Sequence, residues 1–274
     1  MNPSKILIKY GGNAMTNTIL QKKIAEQIHL LIEAGHLIVV VHGGGPFINR
    51  ALEKAVIHSE FIEGHRVTSP EALVEIQKTL IGDVNASLVK IFNSCDVRAV
   101  GLSGLDGRMV LATKKSVQIP LASGEIENRD LGSVGEVTRI NSDLIEILIR
   151  NNFTPIIACI ASDMEANAYN VNADNFAGAL AAAIKADFYI TLTDVDGLYL
   201  NFPDALSILD QVSINQLSEL YGRVIKGGMI PKIQAIEAAL NAGLSNALIL
   251  NGTKPEQLYQ FFEENKRIGT KIIH

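Results

Sequence analysis

The stretch Ile38–Ile48, IVVVHGGGPFI, passes from an apolar run into three glycines, Gly43, Gly44 and Gly45, followed by Pro46. Proline suits the first turn of a helix, where its missing N–H would have no partner anyway. Three residues without side chains expose a row of backbone N–H groups. The helix start adds its own unpaired donors and the positive end of its dipole. Such a turn binds anions, phosphate or carboxylate. A second version opens the chain, where the apolar run Ile6–Tyr10 meets Gly11 and Gly12, with Lys9 just ahead of them.

Other polar groups are dispersed: Arg66 in GHRVT, Asn170 and Asp174 in NVNAD, Asp194 in LTDVDGL and Lys232 in GGMIPK. Singly each is a weak signal. A lone lysine or arginine is usually a solvated charge, and Asp174 serves equally well as a helix-terminal residue. Their arrangement says more, because several fall at the ends of apolar runs, where open α/β sheets hold their ligands. Arg66 lies in a polar break suited to forking a carboxylate with two parallel hydrogen bonds. Asn170 and Asn172 precede the run FAGALAAAI, so apolar that it must be buried, and polar side chains beside it need partners.

The elements that must position these residues alternate between short apolar runs and amphipathic segments, the pattern of a parallel sheet with helices on both faces. The sequence predicts strands at Ile6–Tyr10, Leu37–Val41, Val97–Leu102, Thr154–Ile160, Tyr189–Leu192 and Asn246–Leu250. Helices are expected near Leu20–Ala34, Pro46–Lys54, Glu71–Phe92, Ser142–Asn151, Ala173–Lys185 and Lys232–Ala242. Between Met109 and Ile140 the rhythm changes to alternating residues, with turns expected at Ser123-Gly124 and Asn128–Asp130. That region reads as β-hairpins appended to one end of the sheet. A faint boundary near Pro155–Glu165 suggests two lobes sharing one sheet, residues 1–160 and 161–274. The fold class is thus α/β, an open, mainly parallel sheet with helices on both faces.

Composition narrows the function. The 274 residues are 47% apolar, enough for one large α/β domain. A net charge of −5 leaves no global basic field for nucleic acid, and 5% aromatics without tryptophan offer no base-stacking surface. Any anion site must be built locally. No apolar run approaches the roughly 18 residues a membrane span needs, and no signal peptide is visible. The expectation is a cytoplasmic protein with no nucleic-acid or membrane partner. Cys95 and Cys159 have no ligand or redox spacing and read as quiet thiols. His42 reads as a structural hydrogen-bonding residue and His65 as exposed. The other histidines form no metal-ligand spacing.

Standard nucleotide fingerprints are missing: there is no GxxxxGK[ST] and no GxGxxG after a strand. Gly101–Gly104 falls short of a nucleophile elbow, and no HExxH occurs. Instead KYGGNAM, VVHGGGPFI, GHRVT, VGLSGLDG, NVNADNFAGALA, LTDVDGL and GGMIPK occur in that order, from Lys9 to Lys232, with IGTKII closing at Ile273. Together they resemble the amino acid kinase family, over nearly the whole chain.

The resemblance implies an αβα sandwich that transfers a phosphoryl group from ATP to a carboxylate. Lys9 and Lys232 would flank the transferring group as catalytic residues, with Asp174 between them holding both in position. Gly44 and Gly45 would bind the acceptor through backbone N–H groups, and Gly11 and Gly12 the γ-phosphate. Arg66 and Asn170 would grip an acylated amino acid, Arg66 taking its α-carboxylate. Asp194, Gly197 and Lys226 would lie with the nucleotide. Mg²⁺ would be held mainly through the nucleotide phosphates, with no protein metal site. The N-terminal lobe would hold the acceptor and the C-terminal lobe ATP.

Within the family, the GHRVT spacing and the NVNAD form point to N-acetyl-L-glutamate as acceptor. GLSGLDGR at Gly101–Arg108 and FPDALS at Phe202–Ser207 would not be out of place in a kinase of N-acylated 2-aminoadipate, the alternative acceptor. A non-catalytic nucleotide or amino-acid sensor is a third reading, opposed by the joint presence of Lys9, Asp174 and Lys232. Arginine-inhibited hexameric relatives carry a helix before the first strand. Only Met1–Lys5 stands there in this sequence, so a homodimer with little sensitivity to arginine is expected.

Overall fold

The computed structural model describes residues 3–120 and 126–274. Eight strands form one sheet: β1 (Lys5–Tyr10), β2 (Leu37–His42), β3 (Ala99–Ser103), β4 (Thr154–Ala158), β5 (Phe188–Thr193), β6 (Gln211–Ser213), β7 (Asn246–Asn251) and β8 (Thr270–Ile273). Their spatial order is β6-β8-β7-β5-β1-β2-β4-β3. All neighbours are parallel except β7 and β8, so β8 and β6 run against the rest.

The apolar runs are continuous because both sheet faces are covered. In β1, Ile6, Ile8 and Tyr10 enter one core with Ile24 and Ile28 of helix α1 (Thr18–Glu33), while Leu7 enters the opposite core. That opposite core contains Phe176, Ala177 and Leu180 of a later helix. Lys9 shares Leu7's face by the two-residue period of a strand. Asn17 caps α1 through its side-chain oxygen, bound by the Ile19 and Leu20 N–H groups at 2.9 and 3.2 Å. The cap starts the helix two residues earlier than its apolar pattern suggests.

Helix α2 (Gly45–Lys54) follows the glycine turn. The segment expected as one helix, Glu71–Phe92, is three pieces: α3 (Pro70–Gln77), a π-helical stretch Lys78–Asn85, and α4 (Ala86–Asn93). Ala72, Ile76, Leu80, Val84, Leu88 and Phe92 are all buried, a strict four-residue repeat. In a plain α-helix that repeat drifts by about 40° per step. Widened i→i+5 turns in the middle absorb the drift and keep the row inward.

The remaining helices are α5 (Asp143–Arg150), α6 (Ala173–Ala183), α7 (Ile214–Leu220), α8 (Met229–Asn241) and α9 (Gln257–Phe262). The last expected helix thus begins earlier, at Met229, which places Lys232 in its first turn.

The expected appended hairpins are one long hairpin, Val110–Pro120 with Ile126–Ile140. It closes into a four-stranded ring with Ile160–Ser162 and Ala168–Val171. The turn expected at Ser123-Gly124 lies outside the described residues. Asn128–Asp130 is not a turn: it pairs with Gln118, Val117 and Ser116 as exposed strand. The break comes just after it, where Asp130 Oδ1 accepts the Gly132 N–H at 2.8 Å and Gly132 takes φ +73°. A Cβ on Gly132 would lie 2.2 Å from the Thr68 carbonyl oxygen, so only glycine permits this approach. Thr68 and Ser133 exchange strand-like bonds with this point, Thr68 N–H to Leu131 O and Ser133 N–H to Thr68 O. The hairpin therefore clamps the GHRVT segment that carries Arg66.

Pro155 lies inside β4, paired with Val100, so the faint boundary there does not interrupt the sheet. The predicted strand Thr154–Ile160 ends at Ala158, and Ile160 belongs to the ring.

Candidate active site

β1, β2 and β5 are adjacent and parallel, so their carboxyl ends open onto one edge, as doubly wound sheets require. Each carries a polar signal there: Lys9 with Gly11 and Gly12, the Gly43–Gly45 turn, and Asp194. A cavity of about 320 Å³ sits at this edge. Lys9, Gly11, Gly12, Gly44, Gly45, Arg66, Asn170 and Asp174 all line it.

Asp174 stands in the first turn of α6, whose cap is Asn172: its Oδ1 accepts from the N–H groups of Asp174 and Asn175 at 2.9 and 3.1 Å. The Asp174 carboxylate receives Lys9 Nζ at 3.0 Å on Oδ1 and Lys232 Nζ at 3.2 Å on Oδ2. Thr191 Oγ donates to Oδ1 at 3.4 Å, and the Tyr189 hydroxyl donates to the Asp174 backbone carbonyl at 3.2 Å. Lys9 and Asp174 are only 5% and 6% exposed, so these charges interact with little screening.

The protonation pattern follows from that burial. Desolvation would raise the Asp174 carboxyl, but the two ammonium groups outweigh it and hold it below the usual range. Burial would lower Lys9, yet the Asp174 charge and hydrogen bond outweigh that and raise it. For Lys232, burial and repulsion from Lys9 prevail over Asp174, and its pKa is lowered. Two cations sharing one anion leave an excess positive charge at the cavity wall, where Lys9 and Asp174 line it and Lys232 lies outside the lining, an arrangement suited to an anionic ligand.

The glycine turns supply neutral donors. Gly43 gives its N–H to the Tyr10 carbonyl at 3.0 Å. Gly44 and Gly45 hold the N-cap and first positions of α2, whose first-turn N–H groups have no intrahelical acceptor. A Cβ on Gly44 would meet Leu80 Cδ2 at 2.4 Å, while at Gly45 nothing lies within 4 Å. At Gly11 a Cβ would sit 2.8 Å from Lys9 Nζ, so the bare backbone lets the lysine fold back over it.

Arg66 is buried. Its Nη1 and Nη2 donate to Ser59 Oγ and Asn49 Oδ1, and its guanidinium stacks 4.5 Å from the Phe61 ring centroid. These bonds occupy two of its five donors and fix the plane of the fork. Asn170 extends its amide toward Thr68 Oγ at 3.4 Å from the strand Ala168–Val171. His65, expected as exposed, is half-buried against Lys115 and Glu136 and lines the cavity beside Arg66.

The groups expected on the nucleotide side are less gathered. Asp194 is exposed just past β5, with its Oδ1 3.2 Å from where a Gly12 Cβ would be. Gly197 is buried outside the cavity; a Cβ there would meet Thr270 Oγ at 2.6 Å, an oxygen that accepts the Leu198 N–H. Lys226 is exposed, ahead of α8.

Several residues that shape the site were not singled out by sequence reasoning. Asp196 accepts from Asn251, Gln257 and Lys254 at 3.1, 3.2 and 2.8 Å, tying the end of β5 to the end of β7. The Tyr199 hydroxyl donates to its other oxygen at 3.0 Å, but the three partners that reach across to β7 are remote in the chain, so no local spacing reveals the tie. Asn49 and Ser59, which hold Arg66, are equally silent in sequence. Cys159 lines the cavity, but burial pushes its thiol up to about 12, so it is no nucleophile.

An open α/β sandwich with paired lysines, a shared aspartate and two glycine turns at one sheet edge defines a phosphoryl-transfer protein without a Walker loop. The model of the amino acid kinase family matches residues 4–251. The chain belongs to the amino acid kinase family, and as a kinase it uses ATP. It is 43% identical over 270 residues to the acetylglutamate kinase of Methanococcus aeolicus, covering 98% of this chain and 91% of that one. Identity to the acetylglutamate kinase of Methanocaldococcus jannaschii is 41% over 268 residues, 97% and 89% of the two chains. An N-acetylglutamate synthase from Neisseria gonorrhoeae, crystallised with coenzyme A and N-acetyl-glutamate, shares the fold at TM-score 0.82 and 20% identity. That likeness covers 99% of this chain and 59% of the other. No helix among the described residues is long and apolar enough to cross a membrane.

Proposed function

We propose that this protein phosphorylates the side-chain carboxylate of N-acetyl-L-glutamate at the expense of ATP, giving N-acetyl-L-glutamyl 5-phosphate and ADP, a step of arginine biosynthesis. The observation that carries this reading is the Lys9–Asp174–Lys232 bridge at the wall of a cavity that also holds Arg66 and the Gly44–Gly45 donors. The similarity to acetylglutamate kinases over nearly the full chain supports the choice of acceptor.

The nucleophile is a carboxylate with an ordinary pKa of about 4.3, already ionised at neutral pH. It needs no general base; the difficulty is bringing one anion against another. Arg66 binds the α-carboxylate and Asn170 the acyl group, turning the side chain toward Gly44 and Gly45. A carboxylate oxygen then attacks the γ-phosphorus, the bond to the β,γ-bridging oxygen breaks, and ADP leaves with that electron pair. Lys9 and Lys232 neutralise charge on the equatorial and leaving oxygens, Gly11 and Gly12 donate to the γ-phosphate, and Asp174 keeps the lysines from repelling each other. These are the positioning and electrostatic terms that dominate phosphoryl transfer.

On this reading β1–β4 present the acceptor and β5–β8 the nucleotide, with Asp194, Gly197 and Lys226 on the latter side. Mg²⁺ would be carried in on the nucleotide phosphates, whose charge it would shield. The enzyme is proposed to work in the cytoplasm as a homodimer, which light scattering would test against a hexamer.

ATP-dependent acyl-phosphate formation, trapped with hydroxylamine, tests the function across N-acetylglutamate, N-acetyl-2-aminoadipate, glutamate and aspartate. Preference for N-acetylglutamate is expected. Preference for the longer acid would overturn the acceptor, and silence on all four the catalytic reading.

A further inference from the structure

His42 closes β2 directly before the glycine turn, and its ring is fully buried. Nδ1 lies 2.8 Å from the Gly43 carbonyl oxygen, and Nε2 lies 3.0 Å from Asn85 Nδ2. The same Asn85 nitrogen is 2.7 Å from the Ile156 carbonyl oxygen, which can only accept. With the amide turned over, two oxygens would face each other at that distance, so the atom is a nitrogen carrying two protons. One goes to Ile156; the other goes to His42 Nε2 at 3.0 Å rather than to the more distant Leu102 carbonyl oxygen at 3.4 Å. Nε2 is the acceptor because Nδ1 faces a carbonyl oxygen that only a ring proton can meet. The ring proton must then sit on Nδ1, donated to the Gly43 carbonyl. Burial lowers the imidazole to about 4, so this neutral tautomer persists at physiological pH.

The consequence lies in the next peptide. A trans peptide is planar, and its C=O and N–H point opposite ways. Fixing the Gly43 carbonyl toward the buried His42 ring turns the Gly44 N–H the other way, toward the cavity that both glycines line. A Gly-Gly peptide has no side chain to resist rotation, so without this anchor little opposes a flip. Asn85 sits at the end of the π-helical stretch, whose Leu80 also packs against Gly44.

We propose that His42 and Asn85 are positioning residues: through the relay Asn85–His42–Gly43 they lock the Gly44 N–H onto the acceptor carboxylate, where charge changes during transfer. This rests on the reading of the site as a carboxylate kinase. A wild-type enzyme inactive on all four acids would sink that reading, whereas an active wild type with indifferent variants sinks only the relay.

The test separates the ring's two nitrogens. In His42→Asn the amide nitrogen stands where Nδ1 was and can still donate to Gly43. In His42→Gln the amide reaches the Nε2 position and leaves the carbonyl free. Loss of an aimed donor typically costs about 10²–10³ in rate. We expect His42→Gln to lose roughly 10²-fold in kcat with the KM for ATP little changed, and His42→Asn to recover most of that loss. Equal kcat in both variants, or wild-type kcat in His42→Gln, overturns the proposal. Asn85→Asp gives an independent readout. Its carboxylate, turned from the Ile156 carbonyl, draws the ring proton to Nε2 and strips the donor from Nδ1. The added negative charge raises the imidazole, and only the imidazolium can donate from both nitrogens. Its kcat relative to wild type should therefore rise as pH falls from 8 to 6. A flat ratio overturns the relay even if His42→Gln does not fold.

Discussion

The two sides of the site are built differently. The groups proposed to meet the acceptor and the transferring phosphoryl group sit on strand ends and helix starts: Lys9 on β1, Gly44 and Gly45 at α2, Asp174 in the first turn of α6. Most are buried and already line one cavity. On the side proposed for the nucleotide, Asp194 and Lys226 are exposed, and Gly197 is fixed by its contact with Thr270 rather than by the cavity. The difference follows from what each side must do. Holding one anion against another needs donors set beforehand in a low dielectric, because reorienting them during the reaction would cost what they stabilise. A nucleotide is large and can be bound by many modest contacts.

The comparison breaks first at the lysines. Replacing Lys9 or Lys232 by alanine should lower kcat by roughly 10²–10³, or about 2.7–4 kcal/mol, with smaller effects on either KM. Steady-state kinetics in both substrates measures this, and near-wild-type kcat in either variant would remove the bridge from the mechanism. The two lysines should also differ. Lys9 is raised and Lys232 lowered by their surroundings, so activity resting on a charged lysine should fail first through Lys232 as pH climbs. The alkaline limb of the pH–rate profile should change in a Lys232→Arg variant.

A smaller effect sharpens the contrast through pH. His42, beside the glycine turn proposed to bind the acceptor, is lowered from 6.5 to about 4 by burial. Between those values the unfolded chain binds a proton that the folded one refuses. Stability from this residue is complete above pH 6.5 and is lost as pH falls toward 4. The loss amounts to something on the order of 3 kcal/mol. Thermal melts at pH 7 and pH 4.5 should show a smaller drop in His42→Asn than in wild type. An equal drop would mean that the ring is solvated.

The same contrast governs what could be read from the chain alone. The central strands were legible because burial on both faces writes them as unbroken apolar runs, and their ends carry glycines that mark ligand turns. Short strands such as Gln211–Ser213 and Ile160–Ser162 have too few residues to show a period. The π-helical stretch hid because its four-residue repeat mimics an ordinary helix. In the site, Lys9, Arg66 and Asp174 stood out as polar groups beside apolar runs. Asp196 did not, because apart from the nearby Tyr199 hydroxyl the side chains that hold it come from residues 251, 254 and 257, brought near only by the pairing of β5 with β7.

The finest test sets Arg66 against Lys226. Charge-assisted hydrogen bonds contribute about 1.5–3 kcal/mol, so Arg66→Ala should raise the KM for N-acetylglutamate roughly 10- to 100-fold and spare that for ATP. The loss should be well expressed because Ser59, Asn49 and Phe61 hold the guanidinium ready, so wild type spends little on ordering it. Among the described residues no such scaffold holds Lys226, which is exposed. Exposed charges contribute about 0–1 kcal/mol, so Lys226→Ala should change only the KM for ATP, by less than about fivefold. A tenfold or larger rise would mean that Lys226 is desolvated once ATP binds. The loop ahead of α8 would then have to close over the nucleotide, and the two sides of the site would be equally ordered at the moment of transfer.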